Sequence, residues 1–230
     1  DFGDQSSQRS TMAAGASPSR LVWAAGGAAG PVDASNIIDY VTIASLGDAA
    51  DFGDSTADYE DLSGTSSATR MTFGGGYQQP SGGLSTDIEK LEIASTGNSV
   101  QFSDLSVARQ GLGGTSNGVF AIYGGGITPS VSNVIDFHSI PSGGTATDFG
   151  NLTISGYRRS AGSSGHGGLD YSALQRPSVT YMPGSGRGLF SKGADNVSAI
   201  TMININTLGN ATTFGDAVAG NGHNSSSTGG

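Results

Sequence analysis

The stretch NIIDYVTIASLGDAADFGD, at residues 36–54, contains the signals that decide the fold. Ile38, Tyr40 and Thr42 share one face of an extended chain, and the residues between them share the other, which is the period-2 pattern of a β-strand. The Gly and Asp residues that follow are typical of a tight turn, because they adopt positive φ easily. The stretch therefore predicts a β-hairpin.

The same hairpin recurs along the chain. Its Phe provides a ruler, since the separations are 50 residues from Phe2 to Phe52, 50 from Phe52 to Phe102, 47 from Phe102 to Phe149 and 65 from Phe149 to Phe214. The other long strands with their turns are TDIEKLEIASTGNSVQFSD (86–104), NVIDFHSIPSGGTATDFGN (133–151) and SAITMININTLGNATTFGD (198–216). A repeat of about 50 residues with an insertion in the last interval is therefore expected.

A shorter strand precedes each long one. Its copies, most of which end in a Gly doublet, are RLVWAAGG (20–27), RMTFGGG (70–76), GVFAIYGGG (118–126) and, without the doublet, RGLFSKGA (187–194). No stretch has helical periodicity, and 39 Gly in 230 residues disfavour helix. Three or four short strands per repeat predict an all-β fold, and a β-propeller of about four blades in particular.

These repeats resemble the kelch family. The resemblance rests on the Gly doublet, on an aromatic residue in the following strand such as Tyr40 or Phe137, and on a downstream Arg in LSVAR (105–109), although Phe stands where the family often has Trp. It implies one kelch-like propeller domain over residues 1–230, with repeats starting near 20, 70, 118 and 187. The wording of the repeats also resembles virion structural or fibre-like proteins of tailed marine phages.

The two ends of the chain carry copies of the same segment. Residues 1–20 and 214–230 both contain the Phe motif, so five motifs accompany four long strands. A terminal strand can complete the last blade of a closed ring. Alternatively, the four repeats belong to a longer array, whose neighbouring repeats come from the same chain or from another subunit.

Composition argues against several classes of function. The net charge of −9 disfavours nucleic acid and anionic lipid. Without cysteine, neither a thiolate zinc site nor the tyrosine–cysteine crosslink of the galactose oxidases can form. No apolar run is long enough to span a bilayer. We expect no nucleic-acid partner and no membrane insertion.

The candidate catalytic and metal-binding residues are sparse. His138, His166 and His223 lie in different repeats without metal-ligand spacing. The densest acidic stretch, GDAADFGDSTADYED (47–61), could supply calcium ligands, but recurrence of its Asp with the repeat favours a structural role at turns. The Gly runs lack the features of a phosphate loop. We expect no catalytic residue, no cofactor and no metal, with calcium as the alternative.

The insertion at about 165–187 is the one departure from the repeat. Insertions in propellers emerge as loops at a face of the ring, where binding residues concentrate. Aromatic and Arg side chains are typical of interfaces, and the candidate contact residues are Tyr171, Leu174, Arg176, Tyr181 and Met182. The alternative is that this loop packs against its own repeats.

The sequence therefore predicts a non-enzymatic structural or interaction module. We expect a virion appendage or fibre-like component in an extracellular setting, whose partners are other copies, other virion proteins or a host-surface glycan. The alternative is carbohydrate recognition by a lectin-like propeller or, with less support, a propeller glycosidase. The aromatic series Trp23, Phe73 and Tyr123 is the feature that suggests sugar binding.

Overall fold

The computed structural model describes residues 1–28, 34–80, 82–163, 186–191 and 198–217, and within these ranges the chain forms strands and turns without a helix. The predicted all-β class is confirmed. In chain order the strands are β1 (Arg9–Ser10), β2 (Ala13–Ala16), β3 (Arg20–Ala28), β4 (Ser35–Thr42), β5 (Ala50–Glu60), β6 (Ser63–Ser66), β7 (Arg70–Gly74), β8 (Tyr77–Gln79), β9 (Gly83–Leu84), β10 (Asp87–Glu92), β11 (Val100–Asp104), β12 (Gly113–Ser116), β13 (Phe120–Gly124), β14 (Ile127–Thr128), β15 (Ser130–Val131), β16 (Val134–Ser139), β17 (Gly143–Asn151), β18 (Ser160–Ser163), β19 (Arg187–Ser191), β20 (Ala199–Asn204) and β21 (Thr212–Asp216).

Four antiparallel sheets follow one another along the chain, each with its strands in chain order. The first sheet is β2-β3-β4-β5, the second β6-β7-β10-β11, the third β12-β13-β16-β17 and the fourth β18-β19-β20-β21. The last two strands of each sheet are the predicted hairpins, such as β4 with β5. The repeat starts read from the sequence fall at or just before the second strands, β3, β7, β13 and β19.

The shorter strands extend this plan. β1 pairs with the end of β3, the end of β5 pairs with β8, and β8 pairs with β9. A two-stranded ribbon, β14 with β15, projects between the second and third strands of the third sheet. β8 and β9 lie between β7 and β10 in the chain but pair with the first sheet, so the chain of the second sheet contributes two short strands to the first.

Hydrophobic clusters lie between neighbouring sheets. One cluster joins residues of the first and second sheets, such as Phe52 and Phe73, and another joins Ile135 of the third sheet to Phe190 of the fourth. A third cluster, which includes Tyr123, lies between the second and third sheets. Removing apolar surface from water contributes about 25 cal/mol per Å² to the free energy of folding, so we expect these interfaces to be the main source of stability.

The first strands of the sheets contact one another in chain order, β2 with β6, β6 with β12 and β12 with β18. Glycine permits this approach, because a Cβ added to Gly64 would lie 2.4 Å from the carbonyl oxygen of Ala14. Serine links the strands, since Ser116 Oγ donates to the Ser66 carbonyl oxygen at 2.6 Å and Ser163 Oγ donates to that of Ser116. Among the described residues no comparable contact returns from β18 to β2.

Candidate functional site

The predicted partner-binding residues cannot be placed. Tyr171, Leu174, Arg176, Tyr181 and Met182 lie outside the described residues, together with most of the 165–187 insertion. His166 and His223 lie outside them as well.

Acidic side chains lie fully buried at one repeated position in the third strand of three sheets. Asp39, Glu89 and Asp136 are each buried, and each faces the aromatic residue of the neighbouring second strand. In the fourth sheet this position is Thr201, opposite Phe190. Burying a carboxylate costs several kcal/mol unless it is paired and hydrogen-bonded.

Arginine satisfies the acid in the third sheet. Arg109 Nη2 donates to Asp136 Oδ2 at 2.8 Å, and both side chains are completely buried. The other nitrogen, Nη1, donates to the carbonyl oxygen of Val134 at 3.1 Å, and Ser106 Oγ donates to Asp136 Oδ1 at 2.7 Å. Burial lowers the pKa of Arg109, and the Asp136 carboxylate opposes that effect. The pair anchors the segment that precedes the third sheet, which contains Ser106 and Arg109, to strand β16.

The first sheet has the same arrangement, and its Arg lies 100 residues earlier in the sequence. Arg9 pairs with Asp39, and its Nη1 donates to the Ile37 carbonyl oxygen at 2.6 Å. Ser6 Oγ donates to Asp39 Oδ2 at 2.6 Å, as Ser106 does for Asp136. The hydroxyl and the Arg are three residues apart in both copies, so this is one structural device used twice.

The second sheet uses a neutral version. Tyr59 replaces the Arg and donates to Asp87 Oδ2 at 3.0 Å, while the buried Glu89 accepts hydrogen bonds from Thr56 and Ser99. Burial raises the pKa of Tyr59, which stays a neutral donor. The acid therefore has hydrogen-bond donors without a buried cation.

The fourth sheet has lost the pair at both positions. The positive-φ residue before the first strand is Gly111 in the third sheet and Arg158 in the fourth, so Gly156 corresponds to Arg109. A Cβ added to Gly156 would lie 2.5 Å from Nη2 of Arg159. That Nη2 donates to two loop carbonyl oxygens, those of Ile154 and Ser155, at 2.9 Å each. The guanidinium of Arg159 thus fills the space that the side chain equivalent to position 156 occupies in the other sheets.

A second buried polar cluster joins the second and third sheets. Tyr123 Oη lies 3.2 Å from Thr72 Oγ1 and 3.4 Å from Thr65 Oγ1, and the His138 ring stacks on the Tyr123 ring with centroids 5.9 Å apart. Burial lowers the pKa of His138 to about 4 and raises the pKa of Tyr123 to about 12. Both side chains are neutral at pH 7 and packed, so the cluster holds two sheets together.

The acidic stretch at 47–61 is spread over structural contacts. Asp48 Oδ1 accepts from the Asp4 backbone N–H at 3.0 Å, and Asp51 Oδ1 accepts from that of Gly53 at 3.1 Å. Asp61 pairs with Arg158 at 3.2 Å. No group of three or more His, Asp or Glu that could hold a metal ion occurs in the described ranges. No helix in those ranges is long and apolar enough to cross a membrane.

The repeated Phe motif binds each sheet to a turn of the next. Gly97 N–H donates to the Phe52 carbonyl oxygen at 2.7 Å, and Ser99 N–H donates to that of Asp54 at 2.9 Å. In return, Asp54 N–H donates to Asn98 Oδ1 at 3.0 Å. We call this contact, between a Phe-Gly-Asx segment and a Gly-Asx-small turn, the clasp.

The clasp occurs three times with the same three hydrogen bonds. It joins 52–54 to 97–99, 149–151 to 209–211, and the N-terminal segment 2–4 to 47–49. The second and third sheets use a variant in which Ser103 Oγ donates to the Gly144 carbonyl oxygen. The last copy within the described residues consists of Phe214, Gly215 and Asp216. The Phe214 side chain is 56% exposed, and a Cβ added to Gly215 would meet no atom within 4 Å.

The outer faces of the first and fourth sheets are apolar and incompletely covered. Ile43 is 47% exposed and Trp23 is half-buried, whereas their counterparts Ile93 and Phe73 in the second sheet are fully buried. On the fourth sheet Ile200 is half-buried, although the corresponding Ile in the other three sheets is fully buried. The two uncovered faces are the two sides that meet at every interface within the chain.

The aromatic series that suggested sugar binding is mostly core. Phe73 and Tyr123 are fully buried between sheets, as is Phe190 at the same position of the fourth sheet, and Trp23 is half-buried. Sequence reasoning missed the buried acids and the clasp. Two sequence signals could have revealed them. One is an acid within the mostly apolar stretch 37–43, and the other is the recurrence of Ser-x-x-Arg before the first and third sheets.

Comparison of the chain with protein-family models and with curated proteins found no match. The kelch resemblance therefore rests on the residues that carry it in the sequence. The features that bear on function are the geometry of the sheets, the buried polar pairs and the two incompletely covered faces.

Proposed function

We propose that the protein is a non-enzymatic structural and interaction module, whose four sheets are kelch-like blades of a propeller-type array. The observation that carries the proposal is the repeated interface: successive sheets are joined by an apolar cluster and by the clasp or its variant. In the described residues, the same two surfaces are incompletely covered on the first and fourth sheets. A module built of such interfaces is suited to contact further subunits.

The distribution of the polar groups supports a structural role. Four buried titratable groups, those of Asp39, Glu89, Asp136 and His138, lie in contacts between and within sheets. A catalytic acid or base must reach its substrate through a hydrogen bond. These four groups are already used by the fold.

The setting that we propose is an exposed virion appendage, on the resemblance to phage fibre-like proteins. The experiment is purification of the native particles, followed by mass spectrometry and by immuno-electron microscopy with an antibody to this chain. We expect the chain at constant stoichiometry with the particles and the label at an appendage. Recovery of the chain away from particles would contradict this setting.

Carbohydrate binding is the competing function, and Trp23 is the aromatic side chain of the series that could contact a ring of sugar. A glycan array with the wild-type chain and the Trp23→Ala variant separates the two. A scaffold gives no glycan-specific signal. Selective binding to one glycan class that is lost in the variant would favour the lectin.

A further inference from the structure

We propose that copies of this chain associate head to tail, with the outer face of the first sheet packed on the outer face of the fourth sheet of another copy. This inference rests on the proposed role as an interaction module and names the partner. It follows from three features that match across the two ends: the apolar faces, the clasp and a repeated arginine.

The apolar faces correspond to sides that already fit together within the chain. At the junction of the first two sheets, Ile38 and Phe52 of the first sheet form one cluster with Phe73 and Ile93 of the second. The equivalents of the first pair on the fourth sheet are Ile200 and Phe214, and the equivalents of the second pair on the first sheet are Trp23 and Ile43. All four of these end residues are half-buried or exposed.

The Phe motif of the clasp recurs in the last described strand, where no described residue provides a turn for it. Phe214, Gly215 and Asp216 match the segment 52–54, and the turn that such a segment binds is Gly-Asx-small, as at 47–49. In the single chain this turn holds residues 2–4, in which Phe2 is 42% exposed and which belong to no strand. The tail motif of a second copy would take the place of residues 2–4, forming the same three hydrogen bonds.

The arginine that begins the second strand supplies the third match. Arg20 Nη1 donates to the Ile93 carbonyl oxygen of the next sheet at 3.0 Å, and Arg70 Nη1 donates to that of Ile140 at 2.9 Å. Arg187 occupies this position in the fourth sheet and is exposed. The carbonyl oxygen that corresponds to Ile93 and Ile140 belongs to Ile43, in the first sheet of the second copy.

Such an interface is heterologous, because different surfaces of the two copies meet. Copies therefore add into a chain or close into a ring. Exchange of residues 2–4 for the tail motif conserves the hydrogen bonds, so the gain comes from burial of the apolar end faces. Since each copy carries a net charge of −9, added salt should favour association.

Two glycine substitutions in the same motif test the proposal with opposite signs. A Cβ at Gly3 would lie 2.2 Å from the Gly47 carbonyl oxygen, so Gly3→Ala should release residues 2–4 and strengthen self-association. Gly215→Ala leaves the single chain unaffected but should clash with that turn in the partner, weakening association at least tenfold. Sedimentation velocity of the full chain from about 1 to about 200 μM, a range that covers weak association, measures both.

A mixing experiment tests the polarity of the interface. Ile43→Asp blocks the head and Phe214→Asp blocks the tail, so each variant alone should be monomeric and an equimolar mixture should give a one-to-one dimer and nothing larger. Val131→Asp, at an exposed position on the β15 ribbon of the third sheet segment, is the control and should associate like the wild type. Circular dichroism checks that all variants are folded.

A wild-type chain that stays monomeric throughout, or a Gly3→Ala variant that associates no better than Gly215→Ala, overturns head-to-tail assembly. Two variants that each still dimerise alone also overturn it, because a symmetric interface is then responsible. None of these results changes the outcome of purifying the native particles, so a failure of self-association is distinguishable from a failure of the proposed virion role.

Discussion

At the scale of single residues, the buried ion pair of the third sheet shows how the chain tolerates a carboxylate in its interior. Asp136 has a cation, a hydroxyl and a backbone N–H around it, from Arg109 and Ser106. Most of its lone pairs are used. The pair therefore fixes the position of these side chains. The free-energy cost of burying a charge appears when one partner is removed.

Asp136→Ala should lower the free energy of unfolding by about 3–5 kcal/mol, because Arg109 would be left as an unpaired buried charge. The double variant Arg109→Met/Asp136→Leu should recover most of that loss. Glu92→Gln, which breaks the more exposed pair with Arg70, is the matched control and should cost below about 1 kcal/mol. Urea unfolding at pH 7 measures all three. Equal losses for Asp136→Ala and Glu92→Gln would contradict the argument.

His138 should make stability depend on pH. Its folded-state pKa of about 4 lies below the unfolded value of 6.5, so between these pH values the unfolded chain binds a proton that the folded chain refuses. Its contribution is unchanged above about pH 6.5 and falls as the pH drops towards 4, by about 3 kcal/mol in total.

The His138 prediction is checked by NMR titration of the imidazole and by unfolding of wild type and His138→Asn at pH 7 and 5. The wild type should lose more stability between the two pH values than the variant. An imidazole that titrates near 6.5 in the folded chain would show that the stack with Tyr123 does not exclude the proton.

At the scale of elements, the clasp explains the Gly of the Phe motif in the three copies that form it, whereas the copy at Phe102 has Ser103 and uses the variant contact. Gly53 has φ +146, and a Cβ on it would lie 2.5 Å from the carbonyl carbon and oxygen of Gly97. A hydrogen bond within the motif also holds this conformation, because Gly53 N–H donates to Asp51 Oδ1. The motif is therefore a preformed loop that fits one turn of the neighbouring sheet.

Gly53→Ala should cost about 2–4 kcal/mol, since it adds both backbone strain and a clash with the neighbouring turn. Gly47→Ala adds strain alone, because φ is +147 but no atom lies within 4 Å of the added Cβ, and should cost about 1–2 kcal/mol. Gly215→Ala adds neither in the single chain. Thermal unfolding in dilute solution should rank the variants in that order, and a Gly53→Ala variant no worse than Gly47→Ala would remove the clash from the explanation.

The Phe of the motif should matter in proportion to the sheet that covers it. Phe52 is 2% exposed between the first two sheets, so Phe52→Ala should cost about 3–5 kcal/mol. Phe214 occupies the same place at the open end, and Phe214→Ala should cost below about 1 kcal/mol in the monomer. Chemical denaturation at low protein concentration measures both, and similar losses would mean that the end face is covered in the monomer.

At the scale of the whole molecule, the sheets form an ordered series because each contacts its sequence neighbours. The contacts run from the first sheet to the fourth, and the largest apolar residues lie at the junctions. Stability is therefore expected to be close to a sum of sheet and interface terms, as in other repeat proteins. Among the described residues, the first and fourth sheets each contact one neighbouring sheet.

Much of this architecture was readable from the sequence. The alternation in 36–45 and the Gly-Asx turns predicted the hairpins, and the 50-residue spacing of Phe predicted equivalent units, because both signals are local. The clasp and the Arg109–Asp136 pair were not predicted. They join residues that are distant in sequence, and the role of an acid on a strand depends on which sheet packs over it.

The site was less accessible to sequence reasoning than the fold. The five residues chosen as partner contacts, Tyr171, Leu174, Arg176, Tyr181 and Met182, remain a prediction because they lie outside the described residues. Composition can mark a loop as suited to an interface, but it cannot show that the faces of the first and last sheets stand uncovered. That observation required the burial of equivalent residues to be compared in three dimensions.

The chain-order arrangement of strands within each sheet has a mechanical consequence. A molecule held by its two ends transmits load through the clasps and interfaces in series, so it should yield one sheet at a time. Each release would add roughly 50 residues of extended chain, on the order of 170 Å. In a single-molecule pulling experiment the force trace would be a sawtooth with few, evenly spaced teeth. Such a protein would absorb a sudden pull in steps and would keep its remaining sheets folded meanwhile.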